Sequence, residues 1–348
     1  QNPFFETYST LHSTVPFDKI KTGDYVPAIR EGIRRQNAEI EAIIRNPEVP
    51  TFANTVLAYE KSGEMLHRVS TVFGNLLSAE TDDDLQELAK EIMPMMSEHE
   101  NNISLNEELF ARIKAVYKQQ DKETLSPEQH KLLEDIYNGF VRNGANLLGE
   151  DKEKYRALCK ELSLLTLQFS ENNLKETNDY KLVITDKSQL AGLPESAVEA
   201  AAETAGEKGV EGWVFTLQAP SYGPFLTYAD SRDLRRELYM AYNTKCTHDN
   251  ASNNLEIVKK LANVRMEIAQ LLGYDNFAEY NLQERMAQNS ESVYKLLDQL
   301  LEAYTPTAKQ EYAEVQALAR QAEGEDFVLM PWDWAYYSHK LKDRKFNI

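Results

Sequence analysis

Cysteine is scarce in this chain: Cys159 and Cys246 are the only two among 348 residues, and they do not form a CxxC pair. A disulfide framework needs several cysteines, and a thiolate metal site needs them at short spacing. Neither is expected, and both thiols are predicted to lie in the interior as small apolar side chains.

Basic residues are outnumbered, with 38 Lys and Arg against 56 Asp and Glu and a formal net charge of −18. Nucleic-acid affinity comes largely from Lys and Arg that neutralise phosphates, so no nucleic-acid partner is expected. No run of about 18 apolar residues is present, so no membrane span is expected either. We expect a soluble protein, either periplasmic or cytoplasmic. Its first residue is Gln rather than Met, which fits a mature form whose signal peptide was removed.

Glycine and proline are also sparse, at 14 and 12 residues, and no Gly- or Ser-rich linker is present. Hydrophobic residues make up 42% of the chain, which is enough for a large packed core. Any boundary between domains is therefore expected to be packed rather than flexible.

Apolar residues recur at helical spacing through most of the chain, and typical caps such as Ser126-Pro127-Glu128-Gln129 begin several segments. Two segments read instead as strands, Tyr180–Ile184 and Trp213–Leu217, and Phe225–Tyr228 is a third candidate. The predicted fold is mainly α with a small inserted β-sheet at about residues 180–228. Four regions are predicted: an extended arm (1–23), a helical region (24–175), a β insertion with a short helix (176–230) and a second helical region (231–348).

A hydrolytic zinc site on a helix typically has two histidines one turn apart with a glutamate between them, and no HExxH is present. His99-Glu100 comes nearest, but Ile103 stands where the second ligand belongs. The pairs His130 with Glu134 and His339 with Asp343 each lack a third ligand. No GxSxG motif indicates a serine nucleophile, and no His motif accompanies either cysteine. No catalytic or metal-binding residue is therefore predicted.

The densest group of aromatic and polar residues runs from Pro331 to Lys340. Trp332, Asp333, Tyr336 and Tyr337 are the candidate substrate-binding residues, because Tyr and Trp give a peptide cleft rigid contact area with a polar tip. The alternative interpretation is an interface that packs against further polypeptide.

Six short segments, in order along the chain, resemble the thimet oligopeptidase-like zinc metallopeptidases in their bacterial peptidyl-dipeptidase branch. They are Tyr25–Ala28, Pro50–Thr55, Phe140–Ala145, Phe169–Asn172, Gly192–Pro194 and Pro331–Tyr337. Ala53 departs from the family, which usually has Glu there.

The resemblance implies the N-terminal lobe of a two-lobed metallopeptidase that releases C-terminal dipeptides from short peptides. Zinc is expected in the full-length enzyme and none in this chain, because the family's zinc motif would lie beyond residue 348. The implied partners are short peptides and the missing C-terminal catalytic lobe, so the chain alone is expected to be inactive. The main alternative is an acidic helical binding module; a serine or cysteine hydrolase is a weaker one.

Overall fold

The computed structural model describes residues 2–122 and 124–347, so Gln1 and Ile348, the outermost residues of the predicted regions, lie outside it. Helices dominate the described chain, and the prediction of a mainly α fold with a small sheet is confirmed. The helices are α1 Tyr25–Ile44, α2 Ala58–Glu60, α3 Glu64–Ala79, α4 Asp83–Ser104, α5 Glu107–Lys118, α6 Pro127–Arg142, α7 Glu150–Asp179, α8 Glu195–Glu207, α9 Ala219–Tyr228, α10 Arg232–Asn243, α11 Leu255–Leu271, α12 Phe277–Leu282, α13 Ser290–Glu323 and α14 Trp334–Phe346; the strands are β1 Leu182–Ile184 and β2 Trp213–Phe215.

The chain divides into two compact units, residues 1–168 with 260–280 and residues 169–259 with 281–348. The four regions predicted from the sequence stay a prediction. None of the helices within 2–122 and 124–347 combines the length and apolarity that crossing a membrane requires.

The first unit packs its helices around two clusters of buried side chains. Ile29 of α1 joins Val69 and Phe73 of α3 in one, and Ile40 and Ile43 of α1 join the other. The isoleucines of α1, which the sequence spaces along one stripe of a helix, therefore face the interior. The predicted cap of α6 is confirmed, since Ser126 and Gln129 exchange side-chain bonds with each other's backbone N–H.

Leu57, Leu66, Val69, Phe73 and Leu76 keep helical spacing, which predicts one helix from Asn54 onward, but the structure interrupts it. A π-helical turn spans Phe52–Leu57, α2 follows, and the chain turns before α3 begins at Glu64. The backbone N–H of Gly63 donates to Glu39 Oε2 at 2.7 Å. In a continuous helix this N–H would bond to a carbonyl of the same helix, and here Glu39 of α1 satisfies it instead. The helical spacing of apolar residues therefore persists although the helix itself is broken.

The second unit holds the sheet, in which β1 pairs antiparallel with β2 and Val183 lies opposite Val214. Gly212 precedes β2 with φ of +99°, and a Cβ there would stand 2.2 Å from the carbonyl oxygen of Ile184. Only glycine suits this position, because it has no Cβ and tolerates positive φ.

The third predicted strand, Phe225–Tyr228, is wrong, since these residues end α9. Pro220 occupies the first turn of α9, where its missing N–H removes no helical bond. Phe225 meets Phe215 of β2 edge to face, with ring centroids 4.6 Å apart. Phe225 thus packs against the sheet from a helix, without pairing to it as a strand.

Candidate functional site

The aromatic segment predicted to bind substrate begins with a short 3-10 turn, Pro331–Asp333, and continues into α14. Asp333 closes the turn, because its Oδ2 accepts the backbone N–H of Met330 at 3.0 Å. Its side chain is completely buried. A carboxylate so far from water needs strong partners, and these determine the geometry of the site.

Two arginines of α10 supply those partners. Arg232 Nη2 lies 2.7 Å from Asp333 Oδ2, and Arg235 Nη2 lies 3.1 Å from Asp333 Oδ1. Burial alone would raise the pKa of Asp333, but the bonds from Arg232, the Met330 backbone and Arg235 outweigh it and lower the pKa. The carboxylate is therefore ionised at neutral pH.

Arg235 is itself buried, with 1% of its side chain exposed, and it joins three parts of the second unit. Its guanidinium donates to the carbonyl oxygens of Ala229 at 2.7 Å, Asp230 at 3.2 Å and Trp332 at 3.3 Å. The same group lies 4.0 Å from the centre of the Tyr336 ring. Arg235 thus links the end of α9, the 3-10 turn and α14.

The two predicted tyrosines point their hydroxyls at carboxylates. Tyr336 donates to Asp230 Oδ1 at 2.6 Å, and Tyr337 donates to Glu323 Oε1 at 2.5 Å. Burial, strengthened by these acceptors, raises the pKa of both phenols. They stay protonated donors, bound within the protein.

The two tryptophans are more accessible. Trp332 is half-buried, with the Arg236 guanidinium 5.3 Å from its ring. Trp334, which the sequence reasoning did not select, is exposed and lies parallel to Tyr312 with centroids 6.3 Å apart. The structure therefore brings the four predicted residues together, but it buries Asp333, Tyr336 and Tyr337 and leaves indole surface outside.

Sequence reasoning missed Arg232 and Arg235. They lie one turn apart on α10, and the only available signal was that a buried Asp333 would need cationic partners. The many charged residues of this chain offered no way to choose them.

The first unit contains an open cleft of about 1240 Å³ among α3, α4, α6 and α7. Leu66, Met96 and Phe140 give it apolar walls, and the polar side chains of His99 and Asn101 lie at its buried edge. Its volume exceeds the roughly 300–1,000 Å³ of ordinary small-molecule pockets, which makes it wide enough for an extended ligand.

Cys159 lines the same cleft. Burial raises the pKa of its thiol, although Tyr155 and Asn101 bond to the sulfur and act in the opposite direction. A reactive cysteine needs the thiolate near neutral pH, and this environment favours the thiol. The geometry thus gives no support to a cysteine hydrolase.

No group of three metal-ligating side chains occurs among the residues that the structure describes. The buried Nε2 of His99 pairs with Gln36 Oε1 at 2.8 Å, and Ile103 belongs to the apolar core. His339 lies 3.2 Å from Asp343 in an ordinary i,i+4 pair. The described residues therefore do not fit a catalytic zinc site, which requires three protein ligands.

Comparison with known proteins finds similarity to peptidases. Residues 225–348, which include the arginine pair and the aromatic segment, match the model of Peptidase family M3. The chain is 36% identical to the dipeptidyl carboxypeptidase of Escherichia coli over all of its own length and 51% of that protein. It is 31% identical to the oligopeptidase A of the same organism over 96% of the chain and 49% of that protein.

Similarity extends to plants, since the chain is 30% identical to the organellar oligopeptidase A of Arabidopsis thaliana over 96% of its length and 43% of that protein. The resemblance predicted from the six short segments is confirmed. The chain spans about half the length of the curated relatives it matches.

Proposed function

We propose that this chain is the N-terminal, non-catalytic half of a zinc-dependent peptidase that releases dipeptides from the C-termini of short peptides. The observation that carries the proposal is similarity along the whole chain to a dipeptidyl carboxypeptidase of about twice its length. The rest of the enzyme, including its zinc ligands, would be the chain's principal partner.

The chemistry of the described residues supports this division of labour. They include no trio of metal ligands, and the thiol of Cys159 is held in its unreactive form. Hydrolysis would thus depend on groups outside this sequence.

The aromatic segment would form one wall of the peptide channel. Asp333 and its two arginines hold the segment in place, and their bonds leave Trp332 and Trp334 as its accessible rings. Tyr336 and Tyr337 would support the wall rather than donate to the peptide, since their hydroxyls already have acceptors.

Hydrolysis of a blocked tripeptide with a free C-terminus tests the proposal. The 348-residue chain should be inactive with or without added zinc, whereas a form extended past residue 348 should cleave the peptide and lose activity to a chelator. The Escherichia coli relative serves as positive control. Zinc-dependent cleavage by the 348-residue chain itself would overturn the proposal.

A binding module without catalysis is the second candidate, and the cleft of the first unit favours it. Calorimetric titration with the same peptide separates the two. Two results together would favour the binding module. Ser97→Trp in the cleft would weaken peptide binding while the exposed control Ser9→Trp would not, and the extended form would fail to hydrolyse the peptide.

A further inference from the structure

The cleft of the first unit contains a carboxylate without a cationic partner. Glu100 of α4 lines the cleft, and its side chain makes no ion pair or hydrogen bond with the other residues that the structure describes. It stays open to the cleft, yet partial burial between the walls raises the pKa of its carboxyl group, and no donor lowers it again. A carboxylate that loses hydration without gaining a partner is typical of a binding site.

Three side chains show where the charge of Glu100 acts. Burial is the main cause of the raised pKa of Tyr59, Tyr155 and Cys159, and the negative charge of Glu100 adds to it in each case. Because this interaction weakens with distance, the carboxyl group lies near all three. The two phenols and the thiol stay protonated and neutral, so they leave the carboxylate unneutralised.

The cleft offers little positive charge of its own. Burial lowers the pKa of His99, so its imidazole is neutral at neutral pH. Lys61 lies in the turn before α3 and pairs with no carboxylate of the described residues, while Glu60 and Glu64 line the cleft beside it. With three glutamates and one lysine among its lining residues, the cleft attracts cations.

An organic cation suits the cleft better than a metal ion. The described residues include no group of three metal ligands, which a stable metal site would need. Tyr59 meets Phe140 edge to face, with ring centroids 5.4 Å apart, and aromatic rings attract ammonium and guanidinium groups. Leu66 and Met96 offer apolar surface to the rest of an elongated ligand. A peptide with a basic residue has both parts.

The composition of the cleft also favours a ligand over further polypeptide of the enzyme. Its lining residues all lie between Gln36 and Ser163, so the first unit forms the cleft alone. The core of an interface between proteins is depleted of charged residues, because a charge without a partner loses its hydration there. A carboxylate without a cation in a concave space is instead typical of a site that a charged ligand enters from solvent.

We propose that the cleft of the first unit binds the basic side chains of extended peptides, and that the carboxylate of Glu100 pairs with their ammonium or guanidinium group. A guanidinium group has five N–H donors, two of which a carboxylate accepts side by side. This binding requires neither zinc nor hydrolysis, so it does not depend on the function proposed above.

Calorimetric titration with two matched peptides tests the proposal. Both are acetylated and amidated pentapeptides of alanine with one central residue, which is arginine in the first and its uncharged analogue citrulline in the second. Neither has a free C-terminus, so neither is a substrate of the proposed peptidase. We expect the 348-residue chain to bind the arginine peptide at least about 10-fold more tightly, because only arginine forms a charged pair with Glu100.

Glu100→Gln should abolish this preference. Glu98→Gln is the matched control, since it removes the same charge from an exposed position on the same helix that does not line the cleft, and it should keep the preference. Equal binding of both peptides to the parent chain, or a preference that survives in Glu100→Gln, would overturn the proposal.

Two further measurements separate ligand binding from other roles. Glu100→Gln should not lower the midpoint of thermal unfolding, because glutamine avoids the cost of a partly buried charge. A midpoint below that of Glu98→Gln would assign Glu100 a structural role and contradict the proposal. The form extended past residue 348 should keep the preference for arginine; its loss there would show that the rest of the enzyme fills the cleft, which would also overturn the proposal.

Discussion

Asp333 and Arg235 show at the scale of single residues how a buried charge is stabilised by several partners at once. Both side chains are buried; Arg235 donates to Asp333 and to three backbone carbonyl oxygens, and Asp333 also accepts from Arg232 and from the Met330 N–H. Breaking such a pair costs more than the pair contributes, because the charge that remains is buried without its partner.

Arg235→Met should therefore destabilise the protein strongly. The substitution keeps roughly the length of the side chain but removes one of the two arginine partners of Asp333 and leaves three carbonyl oxygens without their donor. We expect a loss of about 3 kcal/mol or more in the free energy of unfolding, measured by urea titration. Arg34→Met is the control, since it removes an arginine from an exposed ion pair with Glu31, and it should change little. Equal losses in both variants would contradict the role of burial.

Partners such as these could not be predicted from the sequence, because Arg232 and Arg235 lie about a hundred residues before Asp333. The sequence singled out the aromatic segment by its composition, and the four candidate residues lie together in the structure, while their role in substrate binding stays a prediction. It could not show which side chains would turn inward, because that depends on α10 and α13, which meet the segment only in the folded protein.

The imidazole of His99 is expected to make the free energy of unfolding depend on pH. Burial lowers the pKa of its imidazole below the ordinary value of 6.5, so the unfolded chain binds the proton more readily than the folded one. Its contribution to stability is complete above pH 6.5 and is lost as the pH falls through the lowered pKa of the folded state.

His99→Gln should therefore flatten the fall in unfolding free energy between pH 7.5 and 5.5, since glutamine can still donate to Gln36 but takes up no proton. Urea titrations at both pH values measure the slope. His248→Gln, at an exposed position, should leave the slope as in the parent. A slope that His99→Gln does not change would show that the buried imidazole is not its source.

The scale of elements is best illustrated by the entry to β2. The carbonyl oxygen of Ile184 in β1 approaches Gly212 so closely that no side chain fits between them. Gly209, three residues earlier, also has a positive φ, of +64°, but nothing stands within 4 Å of its added Cβ. The two glycines thus share a positive φ, and only Gly212 is closely approached by another strand.

Gly212→Ala should consequently cost more stability than Gly209→Ala. Both lose the freedom that glycine has at positive φ, but only Gly212→Ala forces β1 and β2 apart, and we expect an excess of about 1–3 kcal/mol from that overpacking. Thermal and urea unfolding of the two variants provide the comparison. Equal costs would mean that the strands separate without resistance.

Features that depend on residues close together in the sequence could be predicted from it, whereas features that depend on packing between distant segments could not. The cap at Ser126 is local and was found, whereas Phe225–Tyr228 has the composition of a strand and forms the end of a helix because Phe225 fills a space against Phe215. The break at Gly63 has the same origin, since its bond partner Glu39 belongs to another helix.

At the scale of the whole molecule, the excess of carboxylates sets the response to salt. With 56 acidic and 38 basic residues, the folded chain brings like charges closer than the unfolded chain does. Ion pairs such as Arg30 with Glu91 act in the opposite direction, but they are exposed and contribute little each.

We therefore expect sodium chloride to raise the midpoint of thermal unfolding. Most of the rise should come between about 10 and 150 mM, because the distance over which charges act falls there from about 30 to about 8 Å. Scanning calorimetry at a fixed low protein concentration measures it without a contribution from association. Replacing the exposed residues Glu199, Glu203 and Glu207 of α8 with glutamine should reduce the dependence on salt, because it reduces the excess of negative charge. A midpoint that falls as salt is added would show that attraction between opposite charges outweighs repulsion in the folded state.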